Sequence, residues 1–530
     1  MKYTDFDKTA AYQRLWELAP RGKGFDFASL LTAERVREAV LPLAAGLSYS
    51  WAAKAVDVPV LDALQALADE QELIGKYRAL TEGETMNTGE NRKVLHHLLR
   101  GQPEKPVLYE GKNLGEFYER ELDRFSAFAA AVHAGKIRGA TGKAFTTAVQ
   151  IGIGGSDLGP RALYLALENW AAAEGKGHLR AKFISNVDPD DASQVLASCS
   201  LEETLFILVS KSGTTQETLA NELFVKAKLS ALGLDPGKHI VAVTSETSPL
   251  AHNPAYLNAF YIDDFIGGRY SSTSAVGGVI LSLAFGPEAF RELLAGAAEA
   301  DKNAREPRVL ANAALLDALI GVWERNFLGF PYTAILPYSQ ALSRFPAHLQ
   351  QLDMESNGKR VNRAGLPLDY ATGPVVFGEP GTNGQHSFYQ LLHQGTDIVP
   401  LQFVGFAESQ RGDDVEVEGS GSQTKLKANL AAQIVAFARG KTDSNRNKEF
   451  LGGRPSSLIY GSRLTPRTLG ALLAHFENKV MFQGFVWNIN SFDQEGVQLG
   501  KVLTKKVLAA RTAGTSGDPA LDAYSAILGV

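Results

Sequence analysis

Five hydroxyl side chains fall within SKSGTTQET, residues 210–218, directly after the apolar run TLFILV. Beyond them Leu219, Leu223, Ala227 and Ala231 recur at helical spacing up to a stop at Gly233, so the order is strand, hydroxyl-rich loop, helix. A helix start exposes unpaired N–H groups at the positive end of its dipole. Ser210, Ser212, Thr214 and Thr215 add hydroxyl donors there, and Gly213 lets the backbone approach a ligand closely. Capping alone needs one such residue, so the pattern predicts an anion site. The pattern GxxxxGK[ST] is absent, which leaves hydroxyls, rather than a nucleotide-type lysine with magnesium, to hold a monophosphate ester. IGIGGSDLGP (151–160) repeats the arrangement after TTAVQIGI, with Pro160 suited to a first helical turn. Asp157 stands where a dinucleotide fingerprint requires its third glycine, so only a tight strand-to-helix turn is predicted, with Gly155 and Ser156 facing the ligand.

A second kind of chemistry is carried by PAHLQQLDMES (346–356), which reads as a helix ended by Asn357-Gly358. Glu355 then lies in the last turn, where the negative end of the dipole disfavours ionisation and makes the carboxylate a better proton abstractor. Asp353, two residues earlier, points about 200° away and is expected to be structural. His386 sits at the entrance of a helix in GTNGQHSFYQLLHQ, where an imidazole can act as acid or base. His393, about two turns further on and roughly 10 Å away, is too distant to share a metal with it and reads as structural. His96 and His97 are adjacent, diverge by about 100° on a helix, and read as ordinary packed or surface residues.

These loops need a scaffold. Residues 1–115 show helix-like spacing in LDALQALADEQELI and NRKVLHHLLRG, and predict a mostly helical N-terminal region packing with the second domain. From about 120, TTAVQIGI, TLFILVS and HIVAVT alternate with helical segments, as parallel βαβ units do. A second series follows VLANAALLDALIGVWERN, with YTAILP and DIVPLQFVGF as its most strand-like pieces. The expected fold is α/β: two doubly wound domains with parallel sheets flanked by helices, the smaller at 116–285 and the larger at 286–505. QRGDDVEVEGSGSQTK (410–425) reads as an exposed loop, and residues 506–530 as a C-terminal arm after the helical VLTKKVLAA.

Composition narrows the partners. At 530 residues the chain is long enough for several cores, and 45% hydrophobic with 21% charged residues is ordinary for a globular enzyme. Lys plus Arg is 53 against 58 Asp plus Glu, so the basic excess that nucleic acid attracts is missing. Cys199 is the sole cysteine, which excludes an internal disulfide and a cysteine-rich zinc site. The start MKYTDFDKTA has no secretory pattern, and no uninterrupted apolar run of about 18 residues suggests a membrane span, so the cytoplasm is expected.

GIGGSDLGP, SKSGTTQET, GGRYSSTSAVG (267–277), MESNGKR, GTNGQHSFYQLLHQGT and FDQEGVQLGK, in this order, resemble the glucose-6-phosphate isomerases. The resemblance implies two sugar-isomerase (SIS-type) domains, a homodimer with shared active sites, no cofactor and no metal. It also implies reversible isomerisation of glucose 6-phosphate and fructose 6-phosphate in glycolysis and gluconeogenesis. The blocks depart from the usual pattern at Ser212-Gly213, Ser387, Glu495 and Gln498. None of these is a position to which the family gives chemistry.

Aldose-to-ketose isomerisation must open the ring, move a proton beside a carbonyl and stabilise an enediolate. By resemblance Glu355 is the base, Arg269 stabilises the enediolate, His386 acts across the dimer in ring opening and Lys501 assists it. Gln494 lies near the phosphate end, while Lys211 and Gln351 line the remaining pocket. Taken without the family, Arg269 reads as a structural ion-pair partner and Lys501 as a solvated charge. Three alternatives stay open: a sugar-phosphate sensor without catalysis, a metal-dependent isomerase, and a Schiff-base enzyme using a lysine such as Lys501.

Overall fold

A strand that is apolar on both faces has to be covered by helices on both sides, and the buried runs at 204–209, 240–244 and 401–406 obey this rule. The computed structural model describes residues 1–101 and 105–530 and divides into two units, 1–491 and 492–530. The strands of the two large sheets are β1 (Val40–Pro42), β2 (Ser48–Ser50), β3 (Thr147–Ile151), β4 (Arg180–Ile184), β5 (Thr204–Val209), β6 (Ile240–Thr244), β7 (Asn258–Tyr261), β8 (Tyr332–Tyr338), β9 (Val375–Phe377), β10 (Leu401–Phe406) and β11 (Ser456–Gly461).

The first sheet has five strands in the order β7-β6-β5-β3-β4, all parallel. Its core joins Val149, Ile151, Phe206, Leu208, Ile240 and Ala242 to Val225 and Leu229 of the helix Gln216–Ala231. Each fully buried Val, Leu, Ile or Phe side chain here contributes about 1.5–3 kcal/mol. The second sheet has six strands in the order β1-β2-β11-β10-β8-β9, parallel from β11 to β9. Ala334, Leu336, Leu401, Phe403, Tyr389 and Phe437 pack beside it.

The N-terminal region is largely helical, with helices such as Ala10–Lys23, Val58–Glu70 and Leu73–Thr81, and it also supplies β1 and β2. This hairpin adds to the second sheet antiparallel to β11, with Tyr49 opposite Ile459. It covers an edge that would otherwise offer unpaired backbone groups. The stretch 410–425 is largely exposed but not structureless. Glu416–Val417 and Ser420–Gly421 pair, and the helix Ser422–Arg439 starts inside it. The cause is Asp414, whose carboxylate accepts from Ser422 N at 2.7 Å and Gln423 N at 3.1 Å and so caps the positive helix end.

The helix Pro466–Val486 is buried along nearly its whole length. It crosses the helix Pro287–Asn303 with glycine on both partners, since a Cβ at Gly296 or Gly470 would collide with the other helix's backbone at Arg467 or Leu293. In the unit 492–530, the helix Gln498–Ala513 stops at Gly514 in the left-handed region, and the helix Pro519–Leu528 follows an Asp518 cap. No helix of the described residues is long and apolar enough to cross a membrane.

Candidate active site

In the first sheet β4 lies on one side of β3, while β5, β6 and β7 lie on the other. The loops leaving the C-terminal ends of β3 and β5 therefore diverge, and such a switch point opens a crevice where ligands of α/β sheets bind. Those two loops are the glycine-rich 152–157 and the hydroxyl-rich 210–215.

The hydroxyl-rich loop is held by its own side chains. Ser210 Oγ pairs with Thr215 Oγ1 at 3.0 Å and accepts from Gly213 N at 3.1 Å. Ser212 Oγ accepts from Thr214 N at 3.2 Å and from Thr214 Oγ1 at 2.9 Å. Gly213 has φ +68°, and a Cβ there would strike Ser248 Oγ, so glycine is required on both counts. The helix Gln216–Ala231 starts immediately after, with no side-chain cap from Thr215. Lys211 turns aside and donates to Ile266 O at 3.1 Å, which fastens this loop to the segment leading into Gly267-Gly268-Arg269. Burial lowers the Lys211 pKa, with Asp264 opposing.

The glycine-rich loop meets the same segment. A Cβ at Gly155 would collide with the Gly268 carbonyl group, and one at Gly154 would lie 3.3 Å from Gln351 Nε2. Ser156 is half-buried beside them. Asp157 is buried and bonds Arg161 Nε at 2.8 Å, which explains its place in the turn as structural.

Glu355 and Gln351 come from one helix. It begins as an α-helix at Phe345–Gln350, passes into a π turn at Gln351–Glu355 and ends at Asn357. π turns often mark functional sites, because the inserted residue re-aims side chains. Arg269 Nη1 lies 3.3 Å from Glu355 Oε2, with 1% of the arginine side chain and 23% of the glutamate side chain exposed. The guanidinium is fixed on its other sides, where Nε donates to Ser356 Oγ at 2.7 Å and Nη2 to Ser491 O at 2.6 Å. Tyr270 OH reaches Ser356 Oγ at 3.0 Å, and its ring stacks on the buried His96 at 4.7 Å. Burial pushes the Tyr270 phenol up to about 12 and lowers His96 well below the ordinary histidine range. Gln351 Oε1 is buried and accepts from no protein group.

The structure thus brings together Gly155, Gln351, Arg269 and Glu355, and ties Lys211 and its loop to the segment before Arg269. His386 lies in the turn Asn383–His386 and is exposed. Gln494 and Lys501 belong to the unit 492–530, with Lys501 exposed on the helix Gln498–Ala513. Asp353 is buried, and His393 stacks on Phe437 at 3.7 Å with Nε2 2.9 Å from Gln433 Oε1, as packed residues do. Sequence reasoning did not find Ser356 or the Ser491 carbonyl. Ser356 adjoins Glu355 inside a recognised block and was discoverable there, whereas a main-chain carbonyl leaves no trace in residue type.

The sequence model described as "Phosphoglucose isomerase" matches residues 50–522. The glucose-6-phosphate isomerase of Treponema denticola is 60% identical, with all of both chains covered. That of Borreliella afzelii is 48% identical over 94% of each chain. A solved structure of a glucose-6-phosphate isomerase from Chlamydia trachomatis superposes with a TM-score of 0.92 at 43% identity, covering 99% of each chain. A match along nearly the whole length, by sequence and by superposition, leads to one conclusion: the chain belongs to the phosphoglucose isomerase family.

Proposed function

We propose that this chain interconverts glucose 6-phosphate and fructose 6-phosphate, the reaction its relatives are named for, in glycolysis and gluconeogenesis. The observation that carries the reading is the Arg269–Glu355 pair, in which a sealed cation faces a solvent-reachable carboxylate beside the glycine-rich loop. Glu355 moves the proton between C1 and C2, and Arg269 meets the negative charge that develops on the enediolate. A guanidinium already bonded to Ser356 and Ser491 need not reorganise as that charge appears, which favours the transition state over the bound sugar.

Ser210, Ser212, Thr214 and Thr215 hold the phosphate with the N–H groups of the helix start, while Lys211 fastens their loop. Gly155, Ser156 and Gln351 flank the sugar, and the amide oxygen of Gln351 is left to accept from one of its hydroxyls. His386 and Lys501 open the ring, and Gln494 stands near the phosphate. These three assignments rest on the family. The reading includes a homodimer in which His386 is supplied by the second copy, and a cytoplasmic location. The two sheets fall within 116–285 and 286–505 apart from the strands that the N-terminal region adds, which supports the domain division drawn from the sequence.

The test is a coupled assay in which fructose 6-phosphate is supplied in EDTA and glucose 6-phosphate is read through its dehydrogenase. Turnover is expected at a rate of about 1–1000 per second, the ordinary range for enzymes. Binding of fructose 6-phosphate without turnover would make the protein a sensor, and activity lost in EDTA and restored by a metal would make it a metal-dependent enzyme.

A further inference from the structure

Behind the π turn that carries Glu355 lies a small cavity of ≈ 30 Å³ with a mixed polar and apolar lining. Its wall includes Asp353, Gln483, Lys479, Lys54, Glu324 and Asp317. Most of these charges are matched. Lys54 Nζ lies 3.0 Å from both carboxylate oxygens of Glu324, and Lys479 Nζ lies 3.0 Å from Asp317 Oδ1 and donates to Gln402 Oε1 at 2.8 Å. Asp317 also accepts from Tyr49 OH at 3.1 Å and Gln402 Nε2 at 2.6 Å. Asp353 is the exception, since no salt bridge among the described residues reaches it. It is 8% exposed and Gln483 2%, yet Asp353 Oδ1 and Gln483 Oε1 accept from no protein group.

Buried acceptors without a donor cost about 1–3 kcal/mol each, so a folded protein rarely leaves two of them around one cavity. A cavity of this size has room for one or two water molecules, which can donate to both oxygens where an apolar ligand would satisfy neither. Asp353 is also linked forward to the site. Its main-chain carbonyl accepts from Ser356 N, and the Asn357 amide lies close enough to favour its charged form. Asn357 in turn donates to Val480 O at 3.1 Å and accepts from Ser491 Oγ at 2.8 Å, and the Ser491 carbonyl is the one that holds Arg269. A Cβ at Gly484 would overlap Ser491 Oγ, so the chain packs closely there. Burial pushes the Asp353 carboxyl up to about 6, against the opposing pull of the Lys479 charge and the Asn357 amide.

We infer that this cavity is a buried water site bridging Asp353 and Gln483, and that Asp353 is a positioning residue which, through that water and through Asn357 and Ser491, sets the turn bearing Glu355 and the guanidinium of Arg269. The inference rests on the proposed roles of Glu355 and Arg269.

A crystal structure of the full chain at about 1.8 Å should show water within hydrogen-bond reach of both oxygens, and a dry cavity would overturn the water site. Asp353→Leu fills the cavity and removes a buried unpaired carboxyl, so it should melt no lower than the parent. Its kcat should fall about 10–100-fold with KM for fructose 6-phosphate within twofold, while Asp353→Asn should recover most of the loss. A folded Asp353→Leu with parental kcat would overturn the positioning role. Should Asp353→Leu fail to fold, Gln483→Met displaces the water and leaves Asp353 in place. A fall in kcat of about fivefold or more at unchanged KM supports the inference, and parental kcat overturns it. Glu355→Gln, run beside these variants, separates the two readings. If it is active, the base assignment fails; if it is dead while Asp353→Leu is unimpaired, only the positioning inference fails.

Discussion

Arg269 and Glu355 form an ion pair of unequal halves: at 3.3 Å apart, the guanidinium is sealed in the protein while the carboxylate keeps a solvent-facing side. The open half can meet a substrate without breaking the pair's anchor, since Arg269 is held independently by Ser356 and Ser491.

Glu355→Gln keeps the shape of the side chain and removes its basicity. Turnover should fall by about 10²–10⁴-fold, the usual contribution of a general base, with a far-ultraviolet spectrum and melting temperature close to the parent's. Stopped or coupled assays on a variant shown to be folded provide the check.

Arg269→Lys retains a charge but cannot span Ser356, Ser491 and Glu355 together, because an ammonium lacks the planar fork. A loss of about 10²–10³-fold in kcat is expected, with a smaller change in KM, measured by initial rates over a range of fructose 6-phosphate.

Ser210→Ala takes away the group that accepts from Gly213 N and pairs with Thr215 Oγ1. The loop then loses an internal brace as well as one hydroxyl for the ester. KM should rise about tenfold or more, in line with roughly 1.5–3 kcal/mol for a hydrogen bond to a charged group, and inorganic phosphate should inhibit correspondingly less.

Lys76 makes a separate, pH-dependent prediction. It is fully buried, donates to Gln71 Oε1 at 3.0 Å and lies 4.9 Å from the Tyr3 ring centroid. Burial, aided by Arg363, lowers its pKa to about 8 against the opposing pull of Glu72. Between about 8 and the ordinary lysine value the unfolded chain binds the extra proton, so stability rises with pH across that window, and the destabilisation is fully present below it. Lys76→Met should therefore be more stable than the parent by about 1–3 kcal/mol at pH 7, with the gap narrowing by pH 9.5. Urea denaturation of both proteins at the two pH values measures it.

Much of this was legible in the chain before any coordinates. TLFILV and IVAVT form central strands because unbroken apolar runs of that length suit a sheet buried on both faces, and SKSGTT falls where strand gives way to helix. The placement of Glu355 near a helix end also followed from the Asn357-Gly358 stop, and Asp353 is the more buried of the two. The hairpin β1-β2 did not, since each strand is three residues long and its register is set by β11 some 400 positions away. Nor did the π turn, which has no composition signature, or the grip of Ser491 on Arg269, which is made by a main-chain oxygen. The helix start at Ser422 was hidden because its cap, Asp414, lies eight residues upstream.

Gly155→Ala tests the contact between the glycine-rich loop and Gly268. The added methyl overlaps main-chain atoms that cannot rotate away, so the loops must separate. A loss of about 1–3 kcal/mol is expected from overpacking, together with reduced kcat/KM, read by denaturation and kinetics on the same preparation.

That contact has a wider consequence. Gly155 closes on Gly268 just before Arg269, and Arg269 pairs with Glu355, which a helix of the second α/β region carries, so two glycines set how near the glycine-rich loop comes to the segment that holds the glutamate's partner. With no side chain to flex, that spacing is fixed by main-chain contact, and under the proposed roles it holds Glu355 at a set reach from the phosphate loop. A five-carbon phosphate seated in the same grip should leave its carbonyl short of the glutamate and turn over poorly, even though its ester is bound just as well.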